Sequence, residues 1–320
     1  MNWLPLRIPP SELRLSIQLN CGQSFRWVRT CYEDDQEFTS VLENTVVTLK
    51  QTDTDTFYAL PLVPNDASTL DMMHQHLHTY FQSHVSLKKA TERWAVADPL
   101  RFSGTVAKNT LVTRILRMDP TETLFAFICS SNNNIQRITQ MVQKLCRHFG
   151  EFRGTFRDHD FHAFPCIQRL AQSDVEPKLR ELGFGYRAKY IHQTAQHLCQ
   201  RHADPEAYLM SLREMDYADA RQVLLACTGV GPKVADCVCL MSLDKWDFVP
   251  VDTHVRQIAE RLYGVKVKGK TLTEPGYVQI QDRFRELFGE DAGWAHAVLF
   301  ARDLKFLSVG DLEKLESTGK

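Results

Sequence analysis

The chain has 320 residues, of which 43% are apolar and 24% charged, so it can form two or three packed subdomains and is too apolar to be disordered. Its formal net charge of -1 excludes a global basic field, so any nucleic-acid binding would rest on a local patch and on backbone amides. No apolar run approaches the roughly 18 residues of a membrane span, so we expect no membrane partner.

Nine cysteines are spread along the chain, an odd number without any Cys-x-x-Cys pair. The N-terminus lacks the apolar core of an export signal. This pattern is typical of a reduced, intracellular protein.

The first part of the chain is rich in β-forming residues. Segments 24–29, 46–49 and 57–60 are separated by turn-prone residues, which predicts an antiparallel sheet in a region extending to about residue 112. Gly22 is predicted to open a strand, where a residue without a side chain indicates close approach of another backbone or a ligand. The alternative at Gly22 is a simple bend.

Three histidines, His74, His76 and His78, follow in a segment that we interpret as a surface helix. His74 and His78 would share a face at the spacing of a zinc pair, but no third ligand completes a known motif. Metal binding is therefore the alternative here.

The composition changes at residues 118–120, where Asp119 can cap a helix that begins with Pro120. From there the pattern is helical almost throughout, so the predicted fold class is α+β: an N-terminal antiparallel sheet followed by a mostly α-helical domain. The predicted domains are 1–117, which is β-rich, 118–310, which is helical, and a C-terminal tail over 311–320.

Two polar loops lie within the helical part. Three asparagines at 132–134 separate two apolar helices; caps would need one or two of them, so at least one is predicted to reach a polar ligand such as a base edge. Tyr186 and Arg187 follow a glycine-rich turn and suit base stacking and phosphate contact. The alternative there is a loop with a packed tyrosine.

A helical hairpin over 219–260 carries the most informative pattern. Gly229 and Gly231 break one helix, and Pro232 begins the next, so the turn exposes a helix N-terminus whose free amides favour a phosphate. Lys233 lies in the first turn of that helix, where the dipole disfavours an ammonium and favours the nucleophilic neutral amine. Asp252 is predicted to cap the following helix and to stay ionised at neutral pH.

The turn GVGPK followed by PVDTH resembles the helix-hairpin-helix-GPD superfamily of DNA base-excision glycosylases, with Lys233 as the mark of its bifunctional members. The segments ELRLSIQLNCGQSFRW, LFAFICSSNNNIQRI, LGFGYRAKY and AGWAHAVLFARDL appear in the same order across nearly the whole chain. On the basis of these segments, the chain resembles the eukaryotic-type 8-oxoguanine DNA glycosylase/AP lyase family.

This resemblance implies roles for individual residues. It implies Lys233 as the nucleophile and Asp252 as the carboxylate that assists it. The implied lesion pocket comprises Gly22, Cys237, Met241, His296 and Phe300. The residues implied to hold the unpaired cytosine or fill the gap are Asn132, Arg137, Arg187 and the wedge Tyr186. The implied phosphate contacts are Gly229, Gly231 and His254, and the implied metal ligands are the main-chain carbonyls of Leu225, Cys227 and Val230.

His296 departs from the family, which usually has a glutamine reading the Watson–Crick edge at this position. Imidazole offers one acceptor where an amide offers an acceptor and a donor, and imidazolium offers none. If His296 faces the base, binding is predicted to weaken as the pH falls through about 6.5. The alternative is that His296 turns away and packs against Phe300.

The implied function is excision of 8-oxoguanine, and of ring-opened formamidopyrimidine guanine, opposite cytosine through a lysine Schiff base, followed by β-elimination in base-excision repair. The implied partner is duplex DNA carrying 8-oxoguanine opposite cytosine, bound by a monomer in the nucleus, with room for a mitochondrial fraction. No cofactor is required, and no iron–sulfur cluster is expected because no cysteine follows Cys239. The alternatives are a sister glycosylase for another lesion and a non-catalytic DNA-structure binder.

Overall fold

A computed structural model describes residues 1–31, 36–64, 66–103, 112–269 and 271–304. An antiparallel sheet is followed by a mostly helical part, which confirms the predicted α+β class. The predicted tail over 311–320 and the last six residues of the predicted helical domain lie outside the described residues.

The N-terminal sheet has the strand order β1-β5-β4-β3-β2, with antiparallel neighbours throughout. Glu43 and Asn44 have positive φ angles of 45° and 61°, which suits the two-residue turn between the third and fourth strands. Its strands are β1 (Leu4–Pro5), β2 (Val28–Cys31), β3 (Glu37–Leu42), β4 (Thr45–Gln51) and β5 (Thr56–Ala59).

Segment 24–27 was predicted as strand, and this is wrong, because the strand begins only at Val28. Gly22 bends the chain with a φ of 84° instead of opening a strand. Phe25 then packs edge-on against Phe127, with ring centroids 5.7 Å apart. The segment therefore connects the sheet to the helical part.

The prediction of β structure up to about residue 112 is wrong after Ala59, because helices follow. Asp66 and Ser86 cap two of them by accepting hydrogen bonds from the amides of Thr69 and Lys89. The first confirms the predicted histidine helix, with Nε2 of His74 and His78 3.1 Å apart. The N-terminal helices are α1 (Leu15–Gln18), α2 (Ala67–Tyr80), α3 (Leu87–Ala97) and α4 (Pro99–Phe102).

The helical part begins at Pro120, as predicted, with Asp119 accepting from the Glu122 amide at 2.9 Å. A short 3-10 turn, Gly289–Asp291, precedes the last helix. Among the described residues no helix is long and apolar enough to cross a membrane. The helices are α5 (Pro120–Ile128), α6 (Ile135–Phe149), α7 (Ile167–Leu170), α8 (Val175–Glu181), α9 (Arg187–Arg201), α10 (Pro205–Ser211), α11 (Tyr217–Leu225), α12 (Pro232–Ser242), α13 (Thr253–Tyr263), α14 (Glu274–Phe288) and α15 (Ala292–Asp303).

One hairpin, β6 (Phe152–Phe156) and β7 (His159–His162), interrupts this helical part, where the sequence predicted helices almost throughout. Phe161 of the hairpin is buried with Val41 and Val46 of the N-terminal sheet. The hairpin thus holds the two parts of the chain together.

Arg114 makes a second connection between the two parts. Its side chain is fully buried and donates to the carbonyls of Phe81 at 2.6 Å and Glu12 at 2.9 Å. Its guanidinium carbon lies 5.7 Å from the centre of the Trp294 ring on α15. Because α15 also carries His296 and Phe300, this contact helps to position the pocket described below.

Candidate active site

An open groove of about 1890 Å³ lies between the N-terminal part, α6, α12 and α13. It brings together seven of the residues implied by the resemblance, which come from segments far apart in the sequence. They are Gly22, Asn132, Gly231, Lys233, Asp252, His254 and Phe300.

A smaller pocket of about 50 Å³ shares Gly22, Lys233, Asp252 and Phe300 with this groove. Lys233 and Asp252 therefore lie where pocket and groove meet. The pocket is smaller than a purine base, so an entering base needs space from the groove as well. The implied residues that line it are Gly22, Cys237, Met241, His296 and Phe300, together with Lys233 and Asp252.

The N-terminus of α12 has the features expected of an anion site. Gly231 is its N-cap, Pro232 its first residue, and no side chain caps it. The amides of Gly231, Lys233 and Val234 therefore have no partner among the described residues. Gly229 does not line the groove; its φ is 81°, and a Cβ there would come within 2.3 Å of the Tyr190 ring. Packing against Tyr190 thus requires a glycine at position 229, whereas the phosphate contact implied for Gly229 stays a prediction.

The amine of Lys233 lies above an aromatic ring and beside a hydroxyl. Its Nζ is 5.0 Å from the centre of the Phe127 ring and 3.3 Å from Ser130 Oγ. Neither neighbour is among the residues implied by the resemblance, since Phe127 belongs to the apolar helix before the three asparagines and Ser130 lies between that helix and them. The only signal was a hydroxyl directly after a buried helix.

Asp252 caps α13, as predicted, by accepting a hydrogen bond from the Val255 amide at 3.0 Å. Its carboxylate and the ammonium of Lys233 act in opposite directions on the pKa of Cys237. Burial is the larger influence and raises the pKa of the Cys237 thiol to about 11, so the thiol is neutral at pH 7. The part of the pocket wall that Cys237 forms is thus uncharged.

Gly22 closes the pocket from the N-terminal side. A Cβ at this position would lie 2.8 Å from the Ile135 Cδ1 atom, and the φ of 84° strains any other residue. The neighbour of Gly22 is thus a side chain of α6 and not another backbone, and the predicted approach of a ligand stays a prediction.

His296 both packs against Phe300 and lines the pocket, so the two alternatives are not exclusive. The two ring centroids are 5.9 Å apart, and the imidazole is only 6% exposed. Neither ring nitrogen makes a hydrogen bond of normal geometry with a described residue. Burial lowers the pKa of His296 to about 4, although nearby Asp252 and the Gly293 backbone oppose this shift. The predicted weakening of binding as the pH falls through about 6.5 is therefore wrong, because the imidazole is still neutral at that pH.

We predict instead that His296 makes stability depend on pH. Its folded pKa of about 4 lies below the unfolded value of about 6.5, so the unfolded chain takes up a proton first as the pH falls. Wild type should lose ~3 kcal/mol of unfolding free energy from this group between those values. His296→Gln should lose less over the same range, measured by urea unfolding at several pH values. Exposed His84→Gln is the control, and identical curves for His296→Gln and wild type would contradict the assignment.

The three asparagines have three different environments. Asn134 caps α6 and Asn133 donates to the Cys129 carbonyl at 2.9 Å, so both serve the fold. Asn132 is exposed in the groove with a positive φ of 48°. Only Asn132 is thus left to reach a ligand, which agrees with the interpretation that caps need no more than two.

The other residues implied to surround an unpaired cytosine do not line the groove. Tyr186 donates its hydroxyl to the Ser131 carbonyl at 3.0 Å, and Arg187 donates to the Ser131 and Asn132 carbonyls. The two side chains are therefore fastened to the loop that carries Asn132. Arg137 is exposed on the first turn of α6.

The carbonyls implied as metal ligands are mostly free of hydrogen bonds within the described part of the chain. Those of Leu225 and Val230 accept no hydrogen bond from the described residues, and that of Cys227 accepts one from the Val230 amide. Free carbonyl oxygens suit a hard cation, so these residues fit the implied ion. Among the described side chains there is no group of three or more His, Cys, Asp or Glu residues placed to hold a metal.

The chain is similar to known DNA repair proteins along most of its length. The family model for the 8-oxoguanine DNA glycosylase N-terminal domain matches residues 5–124, and that for HhH-GPD superfamily base excision DNA repair proteins matches residues 125–286. The N-glycosylase/DNA lyase of Saccharomyces cerevisiae is 37% identical over 93% of this chain and 85% of its own. N-glycosylase/DNA lyase OGG1 of Arabidopsis thaliana is 36% identical over 94% of this chain and 80% of its own length.

A solved structure extends the similarity to the fold. The Clostridium acetobutylicum 8-oxoguanine glycosylase/lyase, in complex with double-stranded DNA containing cytosine opposite 8-oxoguanine, superposes with a TM-score of 0.75. It is 26% identical, and the match covers 91% of each chain. With two family models that together span residues 5–286, the chain belongs to the HhH-GPD superfamily of base-excision DNA repair proteins, in the family with an 8-oxoguanine DNA glycosylase N-terminal domain.

Proposed function

We propose that the protein is a bifunctional DNA glycosylase and AP lyase that removes 8-oxoguanine, and ring-opened formamidopyrimidine guanine, opposite cytosine in duplex DNA. The observation that carries the proposal is the meeting of Lys233 and Asp252 at the mouth of one pocket. An amine and a carboxylate at this junction can both reach the sugar of a base that has entered the pocket.

The chemistry begins with a base flipped out of the duplex, at a cost of about a few kcal/mol. The neutral amine of Lys233 attacks C1′, the bond from C1′ to the base nitrogen breaks, and the base leaves with the bonding electrons and takes up a proton. The C1′–O4′ bond of the sugar then opens, O4′ takes up a proton, and an imine forms between Nζ and C1′. Loss of a proton from C2′ then drives β-elimination, in which the C3′–O3′ bond breaks and the 3′ phosphate leaves. Asp252 stabilises the positive charge that develops on the sugar.

The pocket walls suit an uncharged, flat base. Neutral Cys237 and the ring of Phe300 can pack on its two faces, and Gly22 leaves backbone accessible at its edge. A carbonyl at Gly22 can accept the N7–H that 8-oxoguanine has and guanine lacks. The neutral imidazole of His296 can offer one acceptor toward the remaining edge, while its N–H points elsewhere.

Borohydride trapping tests the proposal directly. Duplexes that carry either 8-oxoguanine opposite cytosine or thymine glycol opposite adenine are incubated with protein and reductant, and the covalent adduct is quantified. We expect an adduct with 8-oxoguanine in large excess. Preference for thymine glycol would indicate a sister glycosylase, and DNA binding without any adduct would indicate a non-catalytic binder.

The preference for cytosine is predicted to depend on Arg137. Arg137 is exposed at the start of α6, near the loop held by Tyr186 and Arg187. Removing a paired contact to the orphaned cytosine costs roughly 1–3 kcal/mol. Arg137→Ala should therefore lower the ratio of the excision rate opposite cytosine to the excision rate opposite adenine by about 5- to 150-fold. Arg147→Ala, also exposed on α6, is the control. An unchanged ratio in Arg137→Ala would exclude this role.

Three further features belong to the proposal. A metal ion held by the carbonyls of Leu225, Cys227 and Val230 would stiffen the hairpin next to the anion site. The protein would act as a monomer. It would work in the nucleus, with a fraction in mitochondria, because these compartments contain the DNA.

A further inference from the structure

Asp236 is a fully buried carboxylate on α12 that the proposed chemistry does not use. It lies three residues after Lys233 and directly before Cys237, inside the helix that carries the nucleophile. Burial of a carboxylate is costly unless it is paired and hydrogen-bonded, so its partners indicate what the residue is for.

Four donors from two other helices surround this carboxylate. Oδ1 accepts from the Tyr217 hydroxyl at 2.9 Å and from Arg221 Nε at 3.0 Å, both on α11. Oδ2 accepts from the Tyr277 hydroxyl at 2.5 Å and from Gln281 Nε2 at 3.0 Å, both on α14. Burial raises the pKa of both tyrosines, so their hydroxyls stay protonated and act as donors. Asp236 thus joins α11, α12 and α14 at one point.

The two α14 side chains also hold the segment that leads into Asp252. The Tyr277 hydroxyl accepts a hydrogen bond from the Val251 amide at 3.1 Å, and Gln281 Nε2 donates to the Val249 carbonyl at 2.9 Å. Val251 is the residue directly before Asp252. A chain of hydrogen bonds therefore runs from the Lys233 helix through Tyr277 to the backbone next to the Asp252 carboxylate.

We propose that Asp236, Tyr277 and Gln281 are positioning residues that set the distance between the Lys233 amine and the Asp252 carboxylate. The inference rests on the roles proposed above for these two groups. The cap bond from Asp252 to Val255 orients the carboxylate on α13, but it does not fix α13 relative to α12. The path through Tyr277 connects the two, because it runs from Asp236 on α12 to the amide of Val251, the residue directly before the N-cap of α13.

The test compares two tyrosines that bond to the same carboxylate. Tyr277→Phe removes the link between Asp236 and Val251, whereas Tyr217→Phe removes one donor to Asp236 and keeps the ring that stacks on Phe248. A displacement of about 1 Å can cost roughly 100-fold in rate. We therefore expect Tyr277→Phe to slow single-turnover excision by about 10- to 100-fold with an unchanged Kd for lesion DNA. Tyr217→Phe should stay within about threefold of wild type.

Thermal unfolding of both variants separates positioning from simple loss of stability. If the two variants lose similar stability but only Tyr277→Phe loses rate, the positioning role holds. Equal rates in the two variants, or a weakened Kd in place of a slower step, would overturn it. Gln281→Met, which cuts the second contact with the 249–251 segment, replaces Tyr277→Phe if the latter does not fold.

Wild-type trapping is run in parallel so that the two proposals can fail separately. If wild-type protein forms no adduct with 8-oxoguanine DNA, the proposed function fails and the positioning role fails with it. If wild type is trapped and both tyrosine variants excise at its rate, only the positioning role is wrong.

Discussion

Replacing Lys233 by glutamine is expected to abolish the borohydride-trapped adduct while the protein still binds lesion DNA. Glutamine is one atom shorter than lysine and keeps an N–H donor on the side of Ser130 Oγ, but its amide cannot form an imine. Loss of a nucleophile in other covalent catalysts lowers the rate by roughly 10⁴-fold or more, and we expect a similar fall in excision.

Lys89→Gln is the matched control for this change. Lys89 is exposed on α3 and lines neither the groove nor the pocket. It should trap as wild type does, with the same Kd. An adduct in the Lys233→Gln protein would show that another amine is the nucleophile, and peptide sequencing of the adduct would identify it.

Replacing Asp252 by asparagine is the second large effect that we expect. Asparagine caps a helix about as well as aspartate, so the bond to the Val255 amide should persist. The charge opposite the developing sugar cation is lost, which should lower the single-turnover rate by about 10²- to 10³-fold. DNA binding should change little, because the carboxylate contributes nothing favourable to a phosphate contact.

Asp66→Asn provides the comparison, because Asp66 caps α2 with a similar bond, at 2.9 Å to the Thr69 amide, and lies outside the groove. Both variants should unfold within about 0.5 kcal/mol of wild type. An Asp252→Asn protein that excises the base at the wild-type rate would show that Asp252 is a helix cap without a catalytic role.

The parts of the site that were predictable depend on short local patterns. A proline after two glycines begins α12, and an aspartate before an apolar helical repeat caps α13, so Lys233 and Asp252 could both be placed on helix termini. The resemblance supplied their proximity, which no local pattern contains. The structure adds that both line the same pocket.

The parts that were not predictable depend on contacts between distant residues. The buried state of His296 results from packing against Phe284 and Phe300, so its pKa could not be inferred from the helix that carries it. The partners of Asp236 lie 15 to 45 residues away on other helices. The cap at Ser86, which begins α3, is a local pattern of the same kind as those at Gly231 and Asp252, although the prediction of β structure up to about residue 112 did not include this helix.

The pocket is built from both parts of the chain, and this has a consequence for how the protein can fail. Its Cys21, Gly22 and Gln23 precede α5, whereas Lys233 and Asp252 follow it. If Lys233 and Asp252 act as proposed, choice of the base needs residues from both parts of the chain. Strand cleavage at a sugar that has already lost its base needs only the groups that follow α5. A substitution at Gly22 or Gln23 that leaves the fold intact would therefore uncouple selectivity from incision, and incision without choice of the base is more hazardous to a genome than a protein that is wholly inactive.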